Sequence, residues 1–289
     1  MTRVRELDVT LDDGRTLHGY DSGKRTRYPV MWHHGTPNVG SPPKPLMTLA
    51  KKLGLRWVSF DRPGYGGSSQ HSGRTIRSVA DDVMALADEL ELEQFALIGH
   101  SGGGPHALAC AAAYPDRVTA VVTAGGLAPI SAEGLDWFEG MGMTSSSSLR
   151  AALDGVDGKR RHEEDNADAE IDFIARDWQA LTGVWGWLGT VAAEGVATGS
   201  DGLIDDDIAY VTPWGVDLES ITAPVLLTHG GADRVVPAAH SRWLAEAISG
   251  AELWELHGEG HISSLAADER GAEDALRWLA EKIRATTPR

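Results

Sequence analysis

The sequence predicts an α/β protein: a mostly parallel central sheet with helices on both faces, plus a helical insertion. Three observations carry this. Apolar runs of strand character alternate with helical patterns from Tyr28 to Ala124. The same alternation resumes at Pro224 and continues to Ile283. Between about 127 and 216 it stops, and glycine, tryptophan and acidic residues dominate with no stretch that reads as a buried strand. Alternating strands and helices pair in parallel and cover both faces of the sheet. The chain therefore divides into a core, 1–126 and 217–289, and a helical cap, 127–216. The cap is expected over the carboxyl ends of the strands, where such sheets bind ligands.

The elements follow in order. Stretches 3–11 and 16–21 flank Asp12-Asp13-Gly14, a hairpin signal. Tyr28 to His34 reads as a strand, followed by a Gly35-Thr36-Pro37-Asn38 loop and a helix from about Leu46 to Leu53. Arg56 to Phe60 is a strand, closed by Asp61-Arg62-Pro63-Gly64. Ile76, Val79, Val83, Leu86 and Leu90 keep helical spacing, which predicts an amphipathic helix over 75–91. A strand at 94–99, a helix at 103–114 and a strand from Val118 to Ala124 follow. In the cap, Thr144 and the run Ser145 to Ser148 read as a loop or a helix N-cap. The acidic stretch Asp154 to Asp172, with its Lys159-Arg160-Arg161 island, reads as a solvated helix face or loop. Ile171, Ile174, Trp178 and Leu181 suggest one amphipathic helix, and Trp185, Leu188 and Val191 another. After the cap come a strand at Pro224 to Gly230, a helix at about 238–248, a strand from Glu252 to Leu256 and a mostly helical segment from Leu265 to Ile283.

Composition narrows the function. At 289 residues, 42% hydrophobic and 24% charged, the chain has ordinary globular content. A net charge of −16 argues against nucleic acid or an anionic membrane as partner. Cys110 is the single cysteine, so no intrachain disulfide forms. The first residues lack the apolar core of a signal peptide, and no apolar run reaches membrane-spanning length. A cytoplasmic protein with a small-molecule substrate is expected. No metal or organic cofactor is implied. His33 and His34 are neighbours on a strand and point to opposite faces, so they do not share an ion. Gly102-Gly103-Gly104 lacks the lysine and spacing of a phosphate loop.

The chemistry concentrates at Gly99-His100-Ser101-Gly102-Gly103, between a buried strand and an alanine-rich helix. A serine on a sharp strand-to-helix turn is strained and exposed, and side chains two residues to either side would collide. A serine hydroxyl also needs a base, and that base an orienting carboxylate. Asp233 follows the strand ending near His229, and His261 follows the strand ending at Leu256. Both loops lie at the strand edge that carries Ser101. His229 reads as a strand-end residue packed under its loop, and His257 as a surface residue. His100 reads as a packing residue behind the turn.

With these motifs the chain resembles the α/β-hydrolase superfamily over nearly its whole length. The resemblance rests on His34-Gly35-Thr36-Pro37, on Asp61 to Ser68, on the Ser101 turn and on the Asp233 and His261 loops. It implies a Ser101–His261–Asp233 triad and an oxyanion hole made by the Thr36 and Gly102 amides. It also implies that the cap shapes the substrate pocket. A serine rather than an aspartate at the turn disfavours dehalogenase or epoxide hydrolase chemistry. The Gly-His-Ser-Gly-Gly turn differs from the Gly-Gly-Ser-Trp-Gly of proline iminopeptidases. No acid follows the strand at 118–124, which leaves Asp233 as the triad carboxylate. Trp137, Phe138 and Trp185 read equally as packing of the cap core and as candidates for an aromatic substrate wall.

The expected activity is hydrolysis of an ester-type bond, a carboxylic ester or lactone, in a small apolar substrate through an acyl-enzyme. Cofactor-free perhydrolysis, C–C bond hydrolysis and thioester hydrolysis are alternatives on the same triad. A slow-turnover ligand-binding protein is a further alternative.

Overall fold

A computed structural model of the chain describes residues 4–286. Eight strands form one sheet: β1 (Arg5–Thr10), β2 (Thr16–Asp21), β3 (Tyr28–His33), β4 (Leu55–Phe60), β5 (Phe95–His100), β6 (Val118–Ala124), β7 (Val225–Gly230) and β8 (Glu252–Leu256). Their spatial order is β1-β2-β4-β3-β5-β6-β7-β8. The β1–β2 and β2–β4 pairs are antiparallel, and all others are parallel. The order reverses where β3 meets β5. At that point the connections from the two strands leave the same carboxyl edge in opposite directions, which opens a crevice.

Period-two alternation explains the layers. Met31, Val58, Leu97, Val121 and Leu227 point to one face and join a core with α2 (Ile76–Glu89), α3 (Gly103–Ala113) and α9 (Ala239–Ala247). Their chain neighbours Val30, Trp57, Ile98, Val122 and Leu226 point to the other, against α1 (Met47–Leu53) and α11 (Ala272–Thr286). The apolar face of α2 lies where its spacing predicted. Its start is fixed by a reciprocal cap: Ser78 N–H donates to Thr75 Oγ1 (3.1 Å), and Thr75 N–H to Ser78 Oγ (3.0 Å).

Five helices, α4 (Met143–Leu153), α5 (Gly155–Asp165), α6 (Ala175–Leu181), α7 (Trp187–Val196) and α8 (Asp201–Tyr210), lie between β6 and β7. Three details differ from the sequence reading. The serine run lies inside α4 rather than in a loop. Lys159, in the acidic stretch, is fully buried, its ammonium 2.6 Å from both Glu163 and Asp207. Ile171 lies outside α6, because Asp177 Oδ2 accepts from Ile174 N–H (3.0 Å) and starts the helix at Ala175. A short helix, α10 (Ser263–Ala266), precedes α11. Among the described residues, no helix is long and apolar enough to cross a membrane.

Candidate active site

Ser101 sits at the turn from β5 into α3 with φ +52°, in the left-handed region that costs a side chain energy. Two glycines make the turn possible. A Cβ on Gly99 would lie 2.4 Å from the Gly103 carbonyl oxygen, and one on Gly103 would lie 2.1 Å from that of His33. Ser101 N–H donates to Ala124 O (2.7 Å), which ties the turn to the end of β6.

The neighbouring strands deliver the partners. Asp233 follows β7 and His261 follows β8. His261 Nε2 is 2.9 Å from Ser101 Oγ, and its Nδ1 is 2.7 Å from Asp233 Oδ2. Asp233 Oδ1 accepts from the Val235 and Val236 amides (2.8 and 3.0 Å). Burial opposes its charge, but the His261 charge and hydrogen bonds from His229 and His261 outweigh it and hold the carboxyl well below its usual range. Burial lowers the His261 pKa, and the Asp233 charge, their hydrogen bond and the Asp177 charge together raise it above its ordinary 6.5. Gly125, with φ +63°, closes the far side: a Cβ there would be 3.2 Å from the His261 ring. A side chain there would strain the backbone and crowd the imidazole.

The other histidines take supporting places. His229 is buried under the Asp233 loop, with Nδ1 2.6 Å from Ser241 Oγ and Nε2 2.7 Å from Val236 O. His100 is buried, stacked on Trp32 at 6.5 Å and 5.4 Å from His261, and burial keeps it neutral with a pKa pushed down to about 3. His257 is exposed.

Thr36 and Gly102 both line the cavity that holds Ser101. Their amides are oriented through the carbonyl at the other end of each peptide. In a trans peptide, C=O and N–H point opposite ways. Ser101 O accepts from Gly104 N–H (2.8 Å), which aims the Gly102 N–H the other way. Gly35 O takes a bond from His34 Nδ1 (2.8 Å) and one from Arg62 Nη2 (3.3 Å), which does the same for Thr36. The Arg62 amide donates to His34 Nε2 (3.0 Å), so Nδ1 carries the proton that His34 gives to Gly35.

Behind these loops lies a buried charge cluster with no clear signal in the sequence. Asp206, from α8, is met by Arg62 Nε and Nη2 (3.0 and 2.6 Å), Arg74 Nη2 (2.7 Å), Tyr65 Oη (2.8 Å) and Thr36 Oγ1 (2.6 Å). Three consecutive acids, Asp205-Asp206-Asp207, carry no local sign of burial. The one hint is that Arg62, next to the Pro63-Gly64 turn, needs a carboxylate if buried. Asp177 is the second unanticipated contributor. Its Oδ1 accepts from Ile262 and Ser263 N–H (2.8 Å each), which holds the loop of His261. Phe173 stacks on the His261 ring at 6.3 Å.

The cavity measures about 520 Å³. Leu127, Val235, Val236, Leu149, Val196 and Leu203 form apolar walls, and Ser148, His162, Glu163 and Asp207 form a polar one. The three aromatic candidates are not among its lining residues. Trp137 is buried in the core, its indole donating to Ala128 O (2.8 Å) and its ring edge-on to His240. Phe138 is half-buried under the Arg150 guanidinium, 3.9 Å from its ring centre. Trp185 lines a different cleft, with Pro45, Leu265 and Arg277. Their apolar bulk went into packing, so aliphatic side chains form the pocket walls instead.

Comparison with known proteins agrees with this architecture. A family model described as the alpha/beta hydrolase fold matches residues 28–268. A non-heme chloroperoxidase of Streptomyces lividans is 31% identical, over 88% of this chain and 92% of its own. A bifunctional esterase/perhydrolase of Acinetobacter calcoaceticus is 26% identical, over 94% of this chain and 98% of its own. Among solved structures, an enol-lactonase from Burkholderia xenovorans LB400 superposes with a TM-score of 0.69 at 22% identity, covering 96% of this chain and all (100%) of that one. The chain belongs to the alpha/beta hydrolase family.

Proposed function

We propose that the protein is a serine hydrolase of ester-type bonds, carboxylic ester or lactone, in a small and largely apolar molecule. The observation that carries the reading is the Ser101–His261–Asp233 line, with contacts of 2.9 and 2.7 Å. Ser101 Oγ attacks the carbonyl carbon while His261 Nε2 takes its proton. Asp233 holds the imidazole by Nδ1 and stabilises its cationic form. The Thr36 and Gly102 amides receive the oxyanion. His261 then protonates the leaving oxygen, and an acyl-enzyme remains. Water, deprotonated by His261, releases the acid and restores Ser101.

The segment 127–216 acts in this reading as a cap that shapes the substrate cavity. In support, Ser148, Leu149, Glu163, Val196 and Leu203 all line it. Apolar walls suit an acyl chain or ring. Glu163 and Asp207 add acceptors at one wall, while the Lys159 cation that partly neutralises them lies behind it. A substrate with a hydrogen-bond-donating end fits that wall.

The test is a p-nitrophenyl ester series of increasing acyl length, run beside Ser101→Ala. Turnover with an optimum length, lost in a folded Ser101→Ala, is expected. Activity surviving in that variant overturns the nucleophile assignment. A second reading, perhydrolysis, is favoured by the perhydrolase activity named for the Acinetobacter relative. There hydrogen peroxide replaces water in deacylation, giving a peracid and free Ser101. Adding peroxide to the same assay and separating acid from peracid decides between the two.

A further inference from the structure

On the reading of Thr36 and Gly102 as oxyanion donors, we propose that Tyr210 is a positioning residue for oxyanion binding, joining both donor residues from α8. The Tyr210 phenol oxygen is 3.0 Å from Gly102 O and 2.8 Å from Thr36 Oγ1. Tyr210 is almost wholly buried, and so are the two groups that flank it, Asp206 and Arg62. It touches both halves of the hole from one atom.

Counting protons defines the arrangement. Asp206 is ionised between two guanidinium groups and only accepts. The Thr36 hydroxyl gives its one hydrogen to Asp206 Oδ2 at 2.6 Å, the shorter and charged contact. The Tyr210 hydrogen is then the one available for both of its own contacts, and it is shared between Thr36 Oγ1 and Gly102 O. From Tyr210 the hydrogen bonds therefore run two ways, to Gly102 O at the turn after β5 and through Thr36 Oγ1 to the buried carboxylate. This hydrogen-bond chain spans two loops that no shared strand connects at that point.

The space around Gly102 points the same way. A Cβ on Gly102 would lie 2.2 Å from the Tyr210 oxygen and 2.7 Å from Thr36 Oγ1. The phenol and the threonine hydroxyl thus press against Gly102 on the side where a side chain would stand. The peptide Ser101–Gly102 is held through Ser101 O, and the next peptide is held through Gly102 O by Tyr210. With both peptides fixed, Gly102 loses the freedom to rotate its amide away from the substrate.

The test reads the rate at which Ser101 is modified by a fluorophosphonate, so it needs no knowledge of the natural ester. Ser101 Oγ bonds to phosphorus, fluoride leaves, and the serine proton passes to His261. The phosphoryl oxygen occupies the oxyanion position during attack. Tyr210→Phe keeps the ring and removes the shared proton, and is expected to slow labelling about 10-fold, below the loss for a direct oxyanion donor. The pH at which labelling is half-maximal stays that of wild type, since His261 and Asp233 are untouched. Thr36→Val removes the same chain at its middle and gives a similar loss, Thr36→Ser restores the rate, and Tyr210→Phe with Thr36→Val gives little more than either alone. Wild-type labelling in Tyr210→Phe, or a shifted pH midpoint, overturns the positioning role. If Tyr210→Phe does not fold, the Thr36→Val and Thr36→Ser pair decides, and equal rates in those two overturn it. Labelling that persists in Ser101→Ala instead overturns the underlying nucleophile assignment, and the positioning role of Tyr210 falls with it.

Discussion

His261 carries two opposed influences, and their balance sets a measurable pH. Burial favours its neutral form, while Asp233 and Asp177 favour the cation and prevail, so its pKa lies above 6.5. In its proposed role as base it must be neutral, so kcat/KM is expected to fall as pH drops through that raised value. Asp233→Asn removes the main stabilising charge. It should move the acidic limb to lower pH and cut kcat by about 10⁴-fold, as loss of the orienting carboxylate does in other triads. A pH-rate profile of the two proteins checks both effects. An unmoved limb would show that Asp233 does not set the histidine's charge.

At the scale of elements, α6 and α8 each send a buried carboxylate into loops of the core. Asp177 on α6 serves three amides at once, a part-buried one at the N-cap of its own helix and two buried ones of the loop that carries His261. Asp177→Ala strands those amides, and a loss of about 3 kcal/mol is expected, since each unsatisfied buried donor costs about 1–3 kcal/mol. Urea unfolding measures it. A loss below about 0.5 kcal/mol would mean that water or the loop itself replaces the carboxylate.

The elements themselves were unevenly legible. All eight strands could be read from local signals, the first two as alternating stretches around Asp12-Asp13-Gly14 and the others mainly as apolar runs bounded by turn residues. The Ser101, Asp233 and His261 positions were legible for the same reason, each being a loop just after such a run. Helix α8 was not, because its Asp205-Asp206-Asp207 run looks solvated until Arg62 and Arg74 arrive from distant positions. The aromatic wall was misplaced for a related reason. Tryptophan marks burial without saying whether it packs the core or faces a ligand, and Trp137 and Trp185 pack.

Across the whole molecule, the buried charge cluster holds three regions of the chain together. Asp206 draws Arg62 from the loop after β4, Arg74 from just before α2 and Thr36 from the loop after β3. Burial alone would raise the Asp206 pKa, but the two guanidinium groups reverse this and hold it well below 3.8. Its contribution is therefore present at any pH above the unfolded carboxyl value, and is lost only as pH falls through the depressed folded one. Asp206→Ala leaves two buried cations unpaired, at a cost of about 3–5 kcal/mol. A lowered Tm at neutral pH, with the gap to wild type narrowing in strong acid, is the expected result in calorimetry. An unchanged Tm would show that the cluster contributes no net stability.

The placement of these anchors bears on how such a protein diversifies. Asp177 is bonded to the loop of His261, Asp206 to Thr36, and Tyr210 to Thr36 and Gly102, and all three lie on α6 and α8. The polar wall of the cavity comes largely from α4 and α5, joined to the rest by the Lys159–Asp207 pair. Drift in α4 and α5 can thus rewrite what the pocket accepts while leaving the acyl-transfer chemistry intact, provided a cation still meets Asp207. Drift in α6 or α8 has no such licence. The insertion is in effect two tissues under one roof, one free to vary with the diet of the enzyme and one bound to its reaction.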